Sequence, residues 1–359
     1  MSLQLTSLSD LLTDDFDDFI DARSPAEFAE DHLPGAINLP VLDNDERARV
    51  GTMYVQTSRF RARKIGAALV LKNVAKHLET ELVERDGSWR PLVYCWRGGQ
   101  RSGTFGWLLS EIGWRTETLA GGYRSYRRLV VRMLYDSPLP FRLVVLDGMT
   151  CTAKTAFLHD LEKQGMQVLD LEGMADHRGS VFGATTLPQP SQKSFETRIA
   201  MHLARLSPDR PVVVEAESSK VGDLLIPPQL WAAMCSAPRV EITAPLEARA
   251  RYFSAAYPDL VSDPALFARR IERLRAMHGA ARIGGWLTML EDQDFSALAA
   301  DLMIRHYDTR YAKHRQRHNA RVVLRMNINA LHAEARQKFL PQLTNAIEKA
   351  SVSRPSNVA

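Results

Sequence analysis

Cysteine is scarce. The chain has three, Cys95, Cys151 and Cys235, far apart and without a Cys-x-x-Cys pair. That argues against a disulfide framework and a zinc site, and for a reducing compartment. No apolar run approaches the roughly 20 residues that a membrane span needs. The N-terminal stretch, with Asp10, Asp15, Asp17 and Asp18, is acidic and lacks the apolar core of a signal peptide. A cytoplasmic protein with no membrane partner is expected. Internal repeats and low-complexity segments are missing too. Charge of one sign is in small excess, net +4 from 46 Lys and Arg against 42 Asp and Glu. Such a balance permits nucleic-acid binding without demanding it, so the distribution of the basic residues matters more.

What is present is an ordinary globular composition, 45% hydrophobic and 25% charged, over 359 residues, long enough for two domains. Its focal stretch runs from Leu92 to Ser102. Leu92, Val93 and Tyr94 read as a buried strand ending at Cys95. Gly98 and Gly99 make a turn, and a helical run extends from about Thr104 to Ile112. This layout sets a thiol over a helix N-terminus, where backbone N–H groups and the dipole favour negative charge. A thiol so placed is expected to ionise readily. Trp96, Arg97, Gly98, Gly99 and Arg101 then form an anion cradle, with both arginines able to fork onto an anionic substrate. Two chemistries suit it. One is sulfur transfer of the rhodanese type. The other is Cys-dependent phosphate hydrolysis, whose Cys-x5-Arg spacing Cys95 and Arg101 also have.

Upstream, Phe19 to Phe28 reads as a strand ending in Asp21-Ala22-Arg23, then a helix with Ser24 as N-cap and Pro25 at its start. His32 to Pro40 follows, with Pro34-Gly35-Ala36 at its centre. These two stretches resemble the signatures D-x-R-x-x-x-E-F and H-[IL]-P-G-A-x-N-[IL]-P, which precede the active cysteine of rhodanese domains. The resemblance favours sulfur transfer and gives Asp21 and Arg23 a structural role, an ion pair that fixes the loop. A helical insertion from about Asp43 to Leu82 carries Arg59, Arg61 and Arg63, candidates for phosphate contact. After the strand at about Thr116 to Leu119, Gly121-Gly122 leads into Tyr123, Arg124, Tyr126, Arg127 and Arg128. Arginine for phosphate and tyrosine for stacking make a plausible nucleotide surface.

Pro138-Leu139-Pro140 marks a domain boundary. The strand Arg142 to Asp147 runs into Gly148-Met149-Thr150-Cys151-Thr152-Ala153-Lys154-Thr155 and an apolar helix. Strand, loop, Lys-Thr and helix have the layout of a phosphate-binding P-loop. Gly148, Thr150, Lys154 and Thr155 are the diphosphate-binding candidates, and the Thr155 hydroxyl is placed for Mg²⁺. Glycine is usual where Ala153 stands, because the backbone there is strained for other residues. A strand from Gln167 ends in an acidic, His177- and Arg178-containing stretch. Another from Pro211 ends in Glu215 and Glu217, the candidate acids on the metal side. From Leu246 the chain reads helical and basic, with Arg273 and Arg315 as candidates for a polyanion. His314 and His318 lie one helical turn apart but lack a third ligand, so no metal site is assigned to them.

The fold class is therefore α/β. Residues 1–137 are expected to form a rhodanese-like domain with a helical insertion, 138–245 a parallel P-loop α/β domain, and 246–359 a helical, basic region. Together with Asn44 to Thr52, Gln192 to Glu196 and Glu217 to Gly222, these motifs resemble the tRNA 2-selenouridine synthase family over about residues 16–315. The resemblance implies a transferase that replaces sulfur by selenium in 2-thiouridine at the tRNA wobble position. It implies selenophosphate and geranyl diphosphate as co-substrates, an S-geranyl-2-thiouridine intermediate and no tightly bound cofactor. It maps the essential cysteine to Cys95, which either carries selenium or assists its entry. It maps the P-loop to Gly148–Thr155, where Cys151 and Ala153 replace glycines. Two other classes fit the loops taken alone: a Cys-dependent phosphatase joined to a kinase-like domain, and a non-catalytic RNA-binding protein.

Overall fold

The computed structural model describes residues 2–13, 15–311 and 321–352. Arg315, His314 and His318 lie outside the described residues, as does the tail beyond 352. The chain forms two compact units. One is Met1–Ser137 with Pro190–Arg205, the other Pro138–Gln189 with Leu206–Ala359. Among the described residues no helix is long and apolar enough to cross a membrane.

The first unit holds a five-stranded sheet of β1 (Ser2–Leu3), β2 (Asp18–Asp21), β3 (Ile37–Asn38), β4 (Pro91–Tyr94) and β5 (Glu117–Leu119). The order is β1-β5-β4-β2-β3 and every pair is parallel. All four residues of β4 are buried, which explains its unbroken apolar run. Ser24 is the N-cap and Pro25 the first residue of the Pro25–Glu30 helix, as expected, and the Ser24 N–H donates to Glu27 Oε2 at 3.2 Å. The insertion is two helices, Asn44–Gln56 and Arg59–Glu79. The Arg59–Glu79 helix turns Val70 and Val74 into the core and leaves Arg59, Arg61 and Arg63 exposed.

Helix Gln192–Leu203 was expected within the second domain, but the chain carries it into the first unit. Buried polar groups hold it there. Thr197 Oγ1 donates to Asp31 Oδ2 at 2.9 Å, and Tyr123 OH donates to the same oxygen at 2.7 Å. Arg127 pairs with Glu196, and Tyr135 OH donates to the other oxygen of Glu196 at 2.6 Å.

The second unit is built on β6 (Leu143–Gly148), β7 (Gln167–Leu169), β8 (Val212–Glu215), β11 (Arg239–Thr243) and β12 (Val322–Asn327). A small antiparallel hairpin, β9 (Lys220–Val221) and β10 (Leu224–Leu225), lies between β8 and β11 in sequence. The main sheet has the order β12-β11-β6-β8-β7, all parallel. The region after 245, read as helical, also supplies this edge strand β12. Val322 and Val323 favour extended backbone, and pairing with β11 outweighs the basic, helix-like context. Leu340, Leu343 and Ile347 of the Leu340–Val352 helix close the core on this sheet. A second cluster, with Phe253, Phe267, Trp286 and Leu298, is made by the helices after 245.

Candidate functional site

Each unit presents a loop at the carboxyl end of a central parallel strand, where such sheets bind ligands. In the first unit Cys95 follows β4 and is 3% exposed. The next helix begins at Gln100, with Gly99 as its N-cap. Ser102 Oγ lies 3.1 Å from Cys95 Sγ and donates to it. The carbonyls of Cys95 and Trp96 are taken by the N–H groups of Tyr123 at 2.8 Å and Arg124 at 3.0 Å. Among the described residues, the N–H groups of Trp96, Arg97, Gly98 and Gly99 donate to no protein acceptor. Those donors beside a thiol form an anion cradle.

The cradle's supports are only partly those expected. Asp21 and Arg23 make the buried ion pair, 2.6 Å apart, and the Arg23 guanidinium lies 4.0 Å from the Tyr123 ring centre. Arg97 is exposed at the loop. Arg101, expected to fork onto substrate, is instead directed to Glu27, at 2.8 and 3.4 Å. Burial raises the Glu27 carboxyl, but the Arg101 hydrogen bond and charge outweigh it and hold the group below its ordinary range. Arg101 is thus a tie between loop and helix. Gly122 is what allows the loop to lie so close. Its φ is +58°, and a Cβ there would stand 2.1 Å from the Cys95 carbonyl oxygen and 2.5 Å from the Gly98 nitrogen. Gly122→Ala is expected to lower stability by about 3 kcal/mol or more and to disorder the Cys95 loop. Thermal unfolding checks this, and an unchanged melting temperature would show that the backbone relaxes at little cost.

In the second unit β6 ends at Gly148, and the helix Lys154–Lys163 begins six residues later. The loop has the P-loop trace. Lys154 Nζ folds back onto the carbonyls of Gly148 at 3.0 Å and Met149 at 3.4 Å. Thr150 offers its carbonyl to Arg249 Nε at 2.9 Å, and Arg249 is pinned to Asp308 by two bonds. Cys151 and Ala153 both adopt left-handed backbone, φ 63° and 61°. These are the positions where glycine was expected, so the trace is kept against a strain of about 1 kcal/mol each. Ala153 offsets part of this because its methyl group is buried in the core.

Thr155 Oγ1 reaches Glu215 Oε2 at 2.9 Å and Glu172 Oε2 at 3.1 Å. Oxygens of Glu172, Glu215 and Glu217 all lie within 4.8 Å of one another. Glu215 is fully enclosed. Glu172 and Glu217 keep part of their surface on the cavity, with dense protein around the rest. Burial, then repulsion from Glu217, pushes the Glu172 carboxyl up to about 8. Burial, then repulsion from Glu215, takes Glu217 to about 8 as well. Glu215 is also raised well above the usual carboxylate range, by burial and then by Glu172. An all-oxygen donor set next to a P-loop threonine suits a hard divalent cation such as Mg²⁺. Glu172 was not among the site residues chosen from sequence. The sequence shows only an acidic residue following a strand end; its place beside Glu215 comes from the pairing of β7 with β8.

The cavity over this loop measures 840 Å³. Its lining includes Lys154, Thr155 and Glu172 together with Val181, Tyr252, Ala256, Tyr257 and Tyr307, and further charged groups, among them Arg178, Glu217, Arg239 and Arg310. A lining that combines cationic groups with apolar, aromatic side chains fits an amphiphilic anion.

The basic residues chosen from sequence divide in two. Arg59, Arg61, Arg63, Arg124, Arg128 and Arg273 are exposed. Arg127 is not available as expected, since Glu196 and the Lys193 carbonyl hold its guanidinium. Arg249 and Arg270 of the same basic stretch as Arg273 are buried, the latter donating to the Phe182 carbonyl at 2.5 Å. Those two arginines therefore tie the fold together rather than face solvent.

Fold and loops together define a rhodanese-like domain joined, in one chain, to a P-loop domain. A family model for the rhodanese-like domain matches residues 4–129, and one for the tRNA 2-selenouridine synthase AAA domain matches residues 141–280. The chain is 38% identical over 288 residues to a tRNA 2-selenouridine synthase of Aeromonas salmonicida, spanning 79% of this chain and 74% of that one. To the enzyme of that name from Pseudomonas syringae pv. tomato it is 34% identical, over 84% of this chain and 90% of the relative. To that from Nitrosomonas europaea it is 36% identical over 64% of this chain, and the match spans 60% of the relative's length, less than two thirds. The chain belongs to the tRNA 2-selenouridine synthase family.

Proposed function

We propose that the chain is a tRNA-modifying transferase that converts wobble 2-thiouridine to 2-selenouridine in two steps, one at each loop. One observation carries the reading: a cradled thiol at Cys95 and a P-loop cavity lined by both cationic and aromatic side chains occur in one chain of this family. In the first step geranyl diphosphate binds with its diphosphate on Lys154 and the loop N–H groups and its chain against Tyr252 and Tyr257. The thiocarbonyl sulfur attacks the allylic carbon, the carbon–oxygen bond breaks, diphosphate leaves, and the uracil ring gives up its N3 proton. Thr155, Glu172 and Glu215 would hold Mg²⁺, which supplies charge neutralisation of the diphosphate when bound.

Alkylation turns a poor leaving group into a good one. In the second step selenophosphate sits in the cradle of Cys95 and Arg97, and its selenium adds at C2. Geranyl thiol leaves with a proton, and water cleaves the phosphorus–selenium bond to give phosphate and 2-selenouridine. Cys95 assists this exchange, with Ser102 holding its sulfur. Basic surfaces such as Arg59, Arg61, Arg63 and Arg273 hold tRNA phosphates.

The test is mass spectrometry of tRNA nucleosides after incubation with 2-thiouridine tRNA, geranyl diphosphate and selenophosphate. A selenouridine product is expected, and an S-geranyl product when selenophosphate is withheld. An unchanged nucleoside would overturn the reading.

A further inference from the structure

A groove of 520 Å³ opens beside the Cys95 loop, lined by Trp96, Tyr123, Arg124, Arg128, Leu129 and Arg132 among others. Its floor follows from one helix. Gly122–Val131 turns Tyr123, Tyr126 and Val130 into the core. The opposite face carries Arg124, Arg128 and, where the helix continues, Arg132, all exposed and four residues apart. Neither Arg124 nor Arg128 makes an ion pair among the described residues. Arg132 donates to the Thr6 carbonyl at 3.1 Å through one nitrogen only. Asp136, four residues on, closes the row at its far end. At the near end stands Trp96, half-buried, its ring centre 5.3 Å from that of Tyr123.

A rise of about 1.5 Å per residue sets these arginines about 6 Å apart and spreads the row over about 12 Å. That is too long for one small anion and close to the repeat of successive phosphates in a nucleic-acid strand. An aromatic platform at the end nearest the thiol suits an unstacked base. We propose that this groove is the track of the substrate RNA strand, with successive phosphates on Arg124, Arg128 and Arg132 and an unstacked base against Trp96, next to Cys95. The inference rests on the tRNA reading and adds to it the path and the polarity of approach. An acidic protein segment would share the arginines but gains nothing from the platform.

The test is fluorescence anisotropy of a labelled anticodon stem-loop carrying 2-thiouridine, with the full chain, across a potassium chloride series. The triple variant Arg124→Ala, Arg128→Ala, Arg132→Ala is expected to lower the slope of log affinity against log salt by about 2, since each single-strand phosphate contact contributes about 0.7. A charge-matched triple elsewhere, Lys72→Ala, Lys76→Ala, Lys163→Ala, is expected to leave the slope unchanged. Trp96→Ala is expected to weaken binding roughly five- to hundredfold, with Trp96→Phe restoring most of it. Melting temperatures like that of the parent confirm folding, and Arg→Lys at the three positions, which keeps the charge, is expected to keep the slope. If the parent binds the stem-loop and the arginine triple has its slope, the track is overturned while the tRNA reading stands. If the parent does not bind the stem-loop at all, the tRNA reading falls and takes the track with it.

Discussion

Cys95→Ala is expected to abolish 2-selenouridine formation, by about three orders of magnitude or more, while S-geranyl-2-thiouridine still accumulates from geranyl diphosphate. Ser102 donates to the sulfur at 3.1 Å, and among the described residues the loop N–H groups of Trp96 to Gly99 donate to no protein acceptor. Removing Sγ takes away the group that assists selenium's entry at C2 and leaves the cradle without the sulfur that Ser102 holds, which is why the loss is large. The second unit keeps its own loop, lysine and carboxylates, so alkylation continues. Lys154→Ala has the converse pattern. Diphosphate departure loses the charge that stabilises it, and geranylation falls about 10²- to 10³-fold. Selenium then fails to enter 2-thiouridine tRNA, yet enters tRNA supplied already S-geranylated. Nucleoside mass spectrometry with the two starting tRNAs separates the cases. Equal loss of both products in both variants would show that the loops do not divide the work.

The strand-loop-helix arrangement around Cys95 was legible because glycines punctuate it and an apolar run precedes it. The P-loop was legible from the apolar strand before Gly148 and the Lys154-Thr155 pair opening a helix, and even its departures were: Cys151 and Ala153 take the left-handed backbone that glycine would have taken freely. What could not be read were partners set by tertiary pairing. Arg101 stands at the spacing of a substrate-binding arginine, but Glu27, 74 residues away, claims it. Arg127 looked like Arg128, and only the docking of helix Gln192–Leu203 distinguishes them. Glu172 joins Glu215 because β7 pairs with β8, Leu169 opposite Val214, a register that no local pattern announces. The edge strand β12 was hidden by arginines on both sides of a short valine run.

Pairing of β7 with β8 also gathers three carboxylates whose shifts make the second unit's stability depend on pH. Burial and mutual repulsion outweigh the attraction of Lys154 and hold Glu172 and Glu217 at about 8, and burial and the neighbouring Glu172 also push Glu215 well above the usual carboxylate range. Their unfolded values lie near 4.5. The folded state therefore holds more protons than the unfolded one between about pH 4.5 and 8, and stability falls as pH rises through that window. The contribution is fully present below the unfolded value and is lost above about 8. Glu215→Gln removes the most enclosed of the three charges while keeping its shape. In chelator-treated protein it is expected to raise the melting temperature at pH 8.5 by several degrees, about 2–4 °C for each kcal/mol relieved, and to change it little at pH 5. The same variant is expected to geranylate poorly, because the carboxylate that faces Thr155 is gone. Added Mg²⁺ stabilises the parent by binding the folded state and must displace protons to do so, so its effect on melting is larger at pH 8 than at pH 5.5. Differential scanning fluorimetry over that range reads all of these at once. A Glu215→Gln gain of the same size at both pH values would mean that shape, not charge, sets the cost of the cluster.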